Sequence, residues 1–401
     1  MTERDSPRFE FIALVALLTS MVAMSIDAML PALGVMASEL GAANDNDRQF
    51  ILLGFFLGNM AGTLVYGPLS DSIGRKKAIY AGLVLYMVGG LACMAASTFP
   101  VLIAGRVLQG FGAAGPRIVS LAMVRDGARG AAMARINSFV MSVFMLVPIL
   151  APSFGQAILH VADWRTIFVL FLVMGAIAWA WLALRQEETL APEKRKPIRL
   201  GVMLNSAGQF FASPVSVGYT LASGFIFGSF VCYLGTSQQV FAEQYQQGDR
   251  FALWFGGLAI AVALAMMTNA RLVMRLGMRI LSKWALRGFI ILSVTMLLIT
   301  WMTNGHPPLW VAGTYFFLNF FCSGMIFGNY SAMAMEPMGH VAGMAAAISG
   351  ALSSLIAVVL GGFAGQLYDG TLFPIMAAFS AYGLLAMAAT EWAERRRVAT
   401  V

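Results

Sequence analysis

Three ionisable residues stand where hydrocarbon would surround them: Asp27, Arg106 and Arg117. A charge at such depth is costly, and intramembrane ionisable groups mark ion, proton or substrate paths. If the first apolar stretch ends at Leu33 and the fourth begins at Pro100, Asp27 and Arg106 each lie ~9 Å below the outer end of a helix rising 1.5 Å per residue. The two helices run in opposite directions, so the groups share a depth. If both face one cavity, Arg106 is the natural partner of Asp27. Burial and a neighbouring cation act in opposite senses on the proton affinity of a carboxyl group. That competition suits a switchable proton site, although a static ion pair that only fixes packing would use the same two residues. Arg117 points the same way as Arg106, three turns and ~16 Å along the helix. It either binds an anionic group, gates the path, or snorkels toward the surface. Asn59, Gln109, Tyr233, Thr236, Gln238, Tyr315, Asn319, Asn329 and Tyr330 are the uncharged polar candidates for lining the same space. Each could equally be an interhelical hydrogen bond.

The elements that must hold these residues are apolar stretches of roughly 20 residues, the length that crosses a bilayer as a helix. They read at 9–33, 49–69, 78–97, 100–122, 137–159 and 166–184, then at 215–237, 251–272, 284–303, 309–334, 341–366 and 372–392. Hydrophobic residues make up 59% of the 401-residue chain and charged ones only 11%, with mean hydropathy +0.77; soluble domains are about 25% charged. No alternating segments of the kind that build transmembrane barrels occur, which leaves helices as the spanning solution. The fold class expected is an all-α integral membrane protein with twelve transmembrane helices. The first run is too long for a secretory h-region, contains Asp27 and has no clear cleavage site, so it reads as a retained span.

The net charge of +7 reflects topology. With the N-terminus in the cytoplasm, 21 of the 26 Lys and Arg residues fall inside, from Arg4 and Arg8 to Arg395–Arg397. Only Arg48, Arg165 and Arg250 fall outside. The positive-inside rule then places both termini in the cytoplasm, and the basic excess faces anionic lipid head groups rather than nucleic acid. Cys93, Cys232 and Cys322 lie far apart within apolar spans, and His160, His306 and His340 at loops or helix ends. No spacing among them suggests a disulfide, a metal site or a zinc ligand set. Catalytic and phosphate-loop signatures are missing too, so the chain reads as a non-enzyme without cofactor, driven by an ion gradient or by simple facilitation.

Six spans lie on each side of a charged link, so the domains expected are 1–190, a cytoplasmic linker 191–213, and 214–401. Two pseudo-symmetric six-helix halves are the arrangement of many secondary transporters. A weak echo supports the repeat: Gly67-Pro-Leu-Ser-Asp71-Ser-Ile-Gly74-Arg75-Lys76-Lys77 against Ala270-Arg-Leu-Val-Met274-Arg-Leu-Gly277-Met-Arg279, with Met274 where the aspartate would stand. Gly54, Gly58 and Gly62 in the second span form a small-residue stripe that lets helices approach closely, as do Gly361 and Gly365 in the eleventh. An amphipathic stretch, Leu200 to Phe211, closes the link.

The Gly67–Lys77 segment resembles the loop 2–3 signature of the major facilitator superfamily. Arg106-Val-Leu-Gln-Gly110-Phe-Gly-Ala-Ala-Gly-Pro resembles its fourth-helix signature in proton-coupled members. Pro148-Ile-Leu-Ala-Pro152-Ser-Phe-Gly155 is similar to the fifth-helix motif of its antiporters. Ser25-Ile-Asp27-Ala-Met-Leu-Pro31, Asp163-Trp-Arg-Thr-Ile-Phe168 and Glu188-Thr-Leu-Ala-Pro-Glu-Lys-Arg resemble Bcr/CflA-type drug:proton antiporters. The matches are dense over residues 20–200 and thinner beyond.

This resemblance implies the major facilitator fold and a rocker-switch antiporter that exports small amphipathic compounds as protons enter, across the bacterial inner membrane. Asp27 would be the protonation and cation-recognition site and Arg106 its coupling partner. Asp71, Gly74 and Arg75 would latch the cytoplasmic side, with Asp126 as a partner of Arg75, and Pro152 and Gly155 would shape the bend of the fifth helix. Asn59, Gln109, Arg117, Tyr233, Gln238, Tyr315 and Asn319 are the candidate substrate contacts. The partners implied are the substrate, protons and membrane lipids, and such a protein works as a monomer. Gln156 stands where the antiporters commonly carry a second Gly, and Arg117 departs from the pattern. A basic residue in the cavity favours neutral or anionic compounds over lipophilic cations. The competing reading is an exporter of one metabolite, a sugar or amino-acid derivative, on the same fold. A non-transporting receptor or scaffold fits a short-looped chain poorly.

Overall fold

The computed structural model describes residues 9–398; Arg4 and Arg8, counted above on the cytoplasmic side, lie outside them. Twelve helices among the described residues are long and apolar enough to cross a membrane, and each overlaps one of the twelve stretches read from hydropathy. No strand occurs among these residues. A chain that must satisfy its backbone polar groups inside lipid has helix as its available form. Apolar stripes left at the surface fit that setting: Val169, Val173, Ile177 and Leu184 on the sixth span are 43–81% exposed.

The chain forms two compact units, Met1–Arg199 and Leu200–Val401. The first contains α1 (Phe9–Asp27), α2 (Leu33–Glu39), α3 (Phe50–Ile73), α4 (Arg75–Met94), α5 (Phe99–Gly127), α6 (Gly130–Val161) and α7 (Arg165–Arg185). The second contains α8 (Leu200–Ala212), α9 (Pro214–Gln238), α10 (Phe251–Leu276), α11 (Met278–Met302), α12 (Leu309–Met335), α13 (Ala342–Gln366) and α14 (Phe373–Val398). The division falls inside the polar link, between Arg199 and Leu200. On one side Lys196 N–H donates to the Asp71 carbonyl (3.0 Å). On the other, Phe210 of the amphipathic α8 is buried against Met338 and Ala345.

The first span departs from the uninterrupted helix expected to end at Leu33. It continues to Glu39 but breaks after Asp27, passing through a 3₁₀ turn at Leu30–Ala32 before α2. Pro31 explains the break. It has no N–H to offer the carbonyl four residues earlier, and its ring clashes with that carbonyl, which belongs to Asp27. The depth assigned to Asp27 from an end at Leu33 is corrected accordingly. By contrast α6 runs unbroken through both Pro148 and Pro152.

Small residues set the closest helix approaches in the first unit. A methyl group at Gly58 would overlap the Val107 carbonyl, and one at Gly62 would lie 2.6 Å from the Ala114 Cβ. The stripe Gly54, Gly58, Gly62 therefore packs α3 on α5. In the second unit a Cβ at Gly361 would meet the Val231 Cβ at 2.8 Å, packing α13 on α9.

Candidate functional site

Asp27 is the last residue of α1 and only 5% exposed. No hydrogen bond or ion pair reaches its carboxyl group among the described residues. Gly155 of α6 packs directly over the break: a Cβ there would overlap the Ala28 carbonyl, one residue beyond Asp27. Gly155 thus brings the fifth span onto the broken first span, while Pro152 lies one turn earlier, within the continuous helix.

Arg106 is fully buried, and the direct pairing with Asp27 expected from their depths is absent. Its Nε–H donates to the Ile51 carbonyl (3.2 Å), Nη1 to Gln109 Oε1 (2.5 Å) and Nη2 to the Ser25 carbonyl (3.0 Å). The guanidinium lies 4.4 Å above the Phe55 ring centroid. It does reach the first span, two residues before Asp27, but spends its donors on neutral acceptors; planar Arg suits such multiple bonding. Ser25 Oγ, which donates to the Met21 carbonyl (2.7 Å), also meets the Tyr86 hydroxyl (2.7 Å). Gln109 Nε2 is buried without a partner. Arg106 thus links α1, α3 and α5.

Arg117, farther along α5, has a thinner set of contacts. Nη2 makes one long bond to Thr63 Oγ1 (3.5 Å), and the buried Nε has no partner. Thr63 Oγ1 donates to the Asn59 carbonyl (2.9 Å), and Asn59 Nδ2 makes a long bond to the Gly110 carbonyl (3.4 Å).

The loop after α3 forms a compact ionic knot. Gly74 adopts φ +104°, a conformation that a side chain resists, and a Cβ there would meet Glu188 Oε2 at 2.6 Å. Arg75 donates to Asp71 (2.5 Å), Asp126 (2.8 Å) and Ser70 Oγ (2.8 Å). The backbone N–H groups of Arg75 and Lys76 donate to the Glu188 carboxylate (3.0 and 3.1 Å). Glu188 thus caps the N-terminus of α4, where unsatisfied N–H groups and the helix dipole favour an anion. The Asp126–Arg75 pairing agrees with expectation; Glu188 lies 113 residues from Arg75 in sequence, too far for spacing to announce the contact.

The second unit answers with an uncharged aromatic cluster. Tyr233 lies 4.7 Å from Phe320, 5.2 Å from Phe316 and 5.9 Å from Phe255, between ring centroids. Tyr315 meets Ser293 Oγ (3.2 Å), to which Asn319 Nδ2 also donates (3.0 Å). Asn319 Oδ1 is buried without a partner. Gln238 closes α9 where the chain enters a π-helical turn, Gln239–Gln244. Three other polar candidates are interhelical or local bonds: Asn329 exchanges bonds with Asn269 (2.8 and 3.1 Å), Tyr330 meets Thr390 (2.9 Å) and Thr236 donates to Cys232 O (2.9 Å).

A second ionic knot escaped the sequence reading. Arg279 bonds Glu336 and Glu394 (3.1 Å to the latter), and Glu394 also accepts from Tyr219 and from Arg397 (3.1 Å). The signal available was Gly277, with φ +78°, in the place corresponding to Gly74. The basic residue that follows is one position later than Arg75, and its carboxylates are remote in sequence.

The family model for the Major Facilitator Superfamily matches residues 15–362. The chain is 31% identical over 352 residues, 86% of each chain, to an uncharacterized MFS-type transporter, YdgK, of Bacillus subtilis. It is 26% identical over 369 residues, 92% of each, to a bicyclomycin resistance protein homolog of Haemophilus influenzae. Its fold resembles the partially occluded inward-open xylose transporter XylE of E. coli, with TM-score 0.72 over 95% of this chain and 96% of that one, at 12% identity. These findings bear out the resemblance to Bcr/CflA-type transporters: this multi-pass membrane chain belongs to the Major Facilitator Superfamily.

Proposed function

We propose that the protein is a proton-coupled antiporter that exports small drug-like amphipathic compounds across the bacterial inner membrane by alternating access. It works as a monomer with both termini in the cytoplasm. The observation that carries the reading is Asp27, a carboxyl group buried in the first span at a helix break and without hydrogen-bond or ion-pair partners among the described residues. A structural ion pair would be bonded on both sides, because an uncompensated buried charge is destabilising. A carboxyl group left unbonded is instead open to exchange a proton or to meet a ligand. The name of the Haemophilus influenzae relative supports drug export, and the distribution of Lys and Arg supports the orientation.

Arg106 acts as a positioning residue in this proposal, holding the Ser25–Asp27 segment through the Ser25 carbonyl. Arg75, Asp71 and Asp126, with Gly74, latch one end of the first unit. Gly155 and Pro152 keep α6 against the break. Within the second unit Tyr233, Tyr315, Asn319 and Gln238 are the candidate drug contacts, offering apolar faces and hydrogen bonds; within the first unit Asn59, Gln109 and Arg117 are the polar candidates.

The test is proton movement in proteoliposomes under an imposed pH gradient, with bicyclomycin and a panel of unrelated amphiphiles added to wild type and to Asp27→Asn. Compound-triggered proton flux in the wild type that falls to background in the variant is the expected result. Flux that persists in the variant moves the proton site elsewhere. Compound transport without proton movement would make the protein a facilitator, and response to one compound alone would favour a dedicated metabolite exporter.

A further inference from the structure

The three charged groups inside the spans of the first unit are unequally satisfied. Arg106 uses its donors on three acceptors and an aromatic face. Arg117 is also a guanidinium held within a span, and has one 3.5 Å bond and a buried Nε without a partner. No ion pair reaches it among the described residues. Thr63, its one neighbour in hydrogen-bond range, gives its own proton to the Asn59 carbonyl, so its oxygen is turned toward Arg117 as an acceptor.

A guanidinium has five N–H donors in a fixed fork, and leaving buried donors unmet costs free energy. Arg117 lies ten residues before the Gly127 end of α5 and Thr63 ten before the Ile73 end of α3. At 1.5 Å per residue each is ~15 Å from its helix end, so a lipid head group reaches the fork only by snorkelling of the side chain. What fits is an anion brought to this depth on an apolar body, and the planar fork matches a carboxylate bidentately.

We infer that Arg117, held by Thr63, is a carboxylate-recognition site, and that the protein takes amphipathic compounds bearing a carboxylate in preference to their neutral derivatives. This rests on the export reading for its place in transport but not for the binding itself. The two can therefore fail separately.

The experiment is equilibrium binding of dansylaminoundecanoic acid and its methyl ester to the purified full chain at neutral pH, by dansyl fluorescence. A charge-assisted hydrogen bond is worth about 1.5–3 kcal/mol, so the wild type should bind the acid about tenfold or more tightly than the ester. Arg117→Gln should lose the preference and bind acid and ester alike, and Arg117→Lys should retain part of it. In the wild type alone, undecanoate should displace the dansyl acid at concentrations where undecanol does not, a result independent of how any variant folds. Equal affinity for acid and ester in the wild type, or a preference intact in Arg117→Gln, would overturn the inference. An acid preference that depends on Arg117, in a protein without compound-linked flux, would leave the site standing and sink the export reading.

Discussion

The two six-helix units bury different chemistry. Every buried charged residue among the described ones lies in the first unit: Asp27, Arg48, Arg75 and Arg106. The buried polar residues of the second are Ser, Thr, Asn and Gln, and its centre is the ring cluster of Tyr233, Phe255, Phe316 and Phe320. Burying charge is expensive, and this protein concentrates it in one of two related units. On the proposed function, the first unit would supply the groups that change protonation and bind ions. The second offers aromatic faces and neutral hydrogen bonds, which hold apolar compounds with little commitment to their charge. The ends of the helices teach the opposite lesson. Arg75 and Arg279 each follow a positive-φ glycine and each gather two carboxylates, so the knot is kept where the interior has diverged.

The largest expected effect comes from cutting into the charged interior. Arg106→Leu strands the Ile51 and Ser25 carbonyls and Gln109 Oε1, and should cost about 3–5 kcal/mol, because each buried acceptor left unmet costs about 1–3 kcal/mol. Asn319→Leu in the second unit removes two neutral bonds and should cost about 1–3 kcal/mol. Thermal unfolding of the purified variants compares them, and equal losses would erase the contrast between the units.

Next in size is the pair of knots. The Arg75 side chain is 8% exposed and that of Arg279 is 31% exposed, and Arg75 also holds Ser70. Arg75→Ala should therefore cost about 2–4 kcal/mol, nearer a buried pair, and Arg279→Ala about 1 kcal/mol, nearer a surface one. Salt should weaken the Arg279 knot more than the Arg75 knot, because exposed pairs are screened. Melting curves at low and high ionic strength decide it; a larger loss at Arg279 would reverse the ranking.

The smallest expected change in stability belongs to Asp27. Its carboxyl group has no hydrogen bond to lose, so Asp27→Asn should shift stability by no more than about 1 kcal/mol, well below the loss at Arg106. A destabilisation as large as that of Arg106→Leu would mean that Asp27 is a structural partner after all.

Hydropathy made the twelve spans legible, because each sums some 20 residues of the same character and tolerates errors at its ends. The break beside Asp27 was legible in principle: Pro31 stands four residues after it, where its missing N–H matters most. What pattern alone could not supply was the choice of partner among distant residues. Asp27 and Arg106 share a helix-depth argument, yet Arg106 turns to backbone carbonyls, which no side-chain pattern announces. Glu188 caps α4 from 113 residues away. The second knot stayed hidden because Met278 displaces Arg279 by one position and because Glu336 and Glu394 come from other spans. The Arg75–Asp126 pair was anticipated through family resemblance, on a motif dense enough to carry it.

The most direct test of the central claim, that the charged first unit exchanges the proton and the neutral second unit does not, is substrate-induced proton release from purified protein in weakly buffered detergent solution. Bicyclomycin, or the tightest-binding amphiphile from the transport panel, would be added to wild type, Asp27→Asn and Asn319→Leu. Proton release is expected from the wild type and from Asn319→Leu, and none from Asp27→Asn at concentrations where the compound still binds. Undiminished release from Asp27→Asn would contradict that claim.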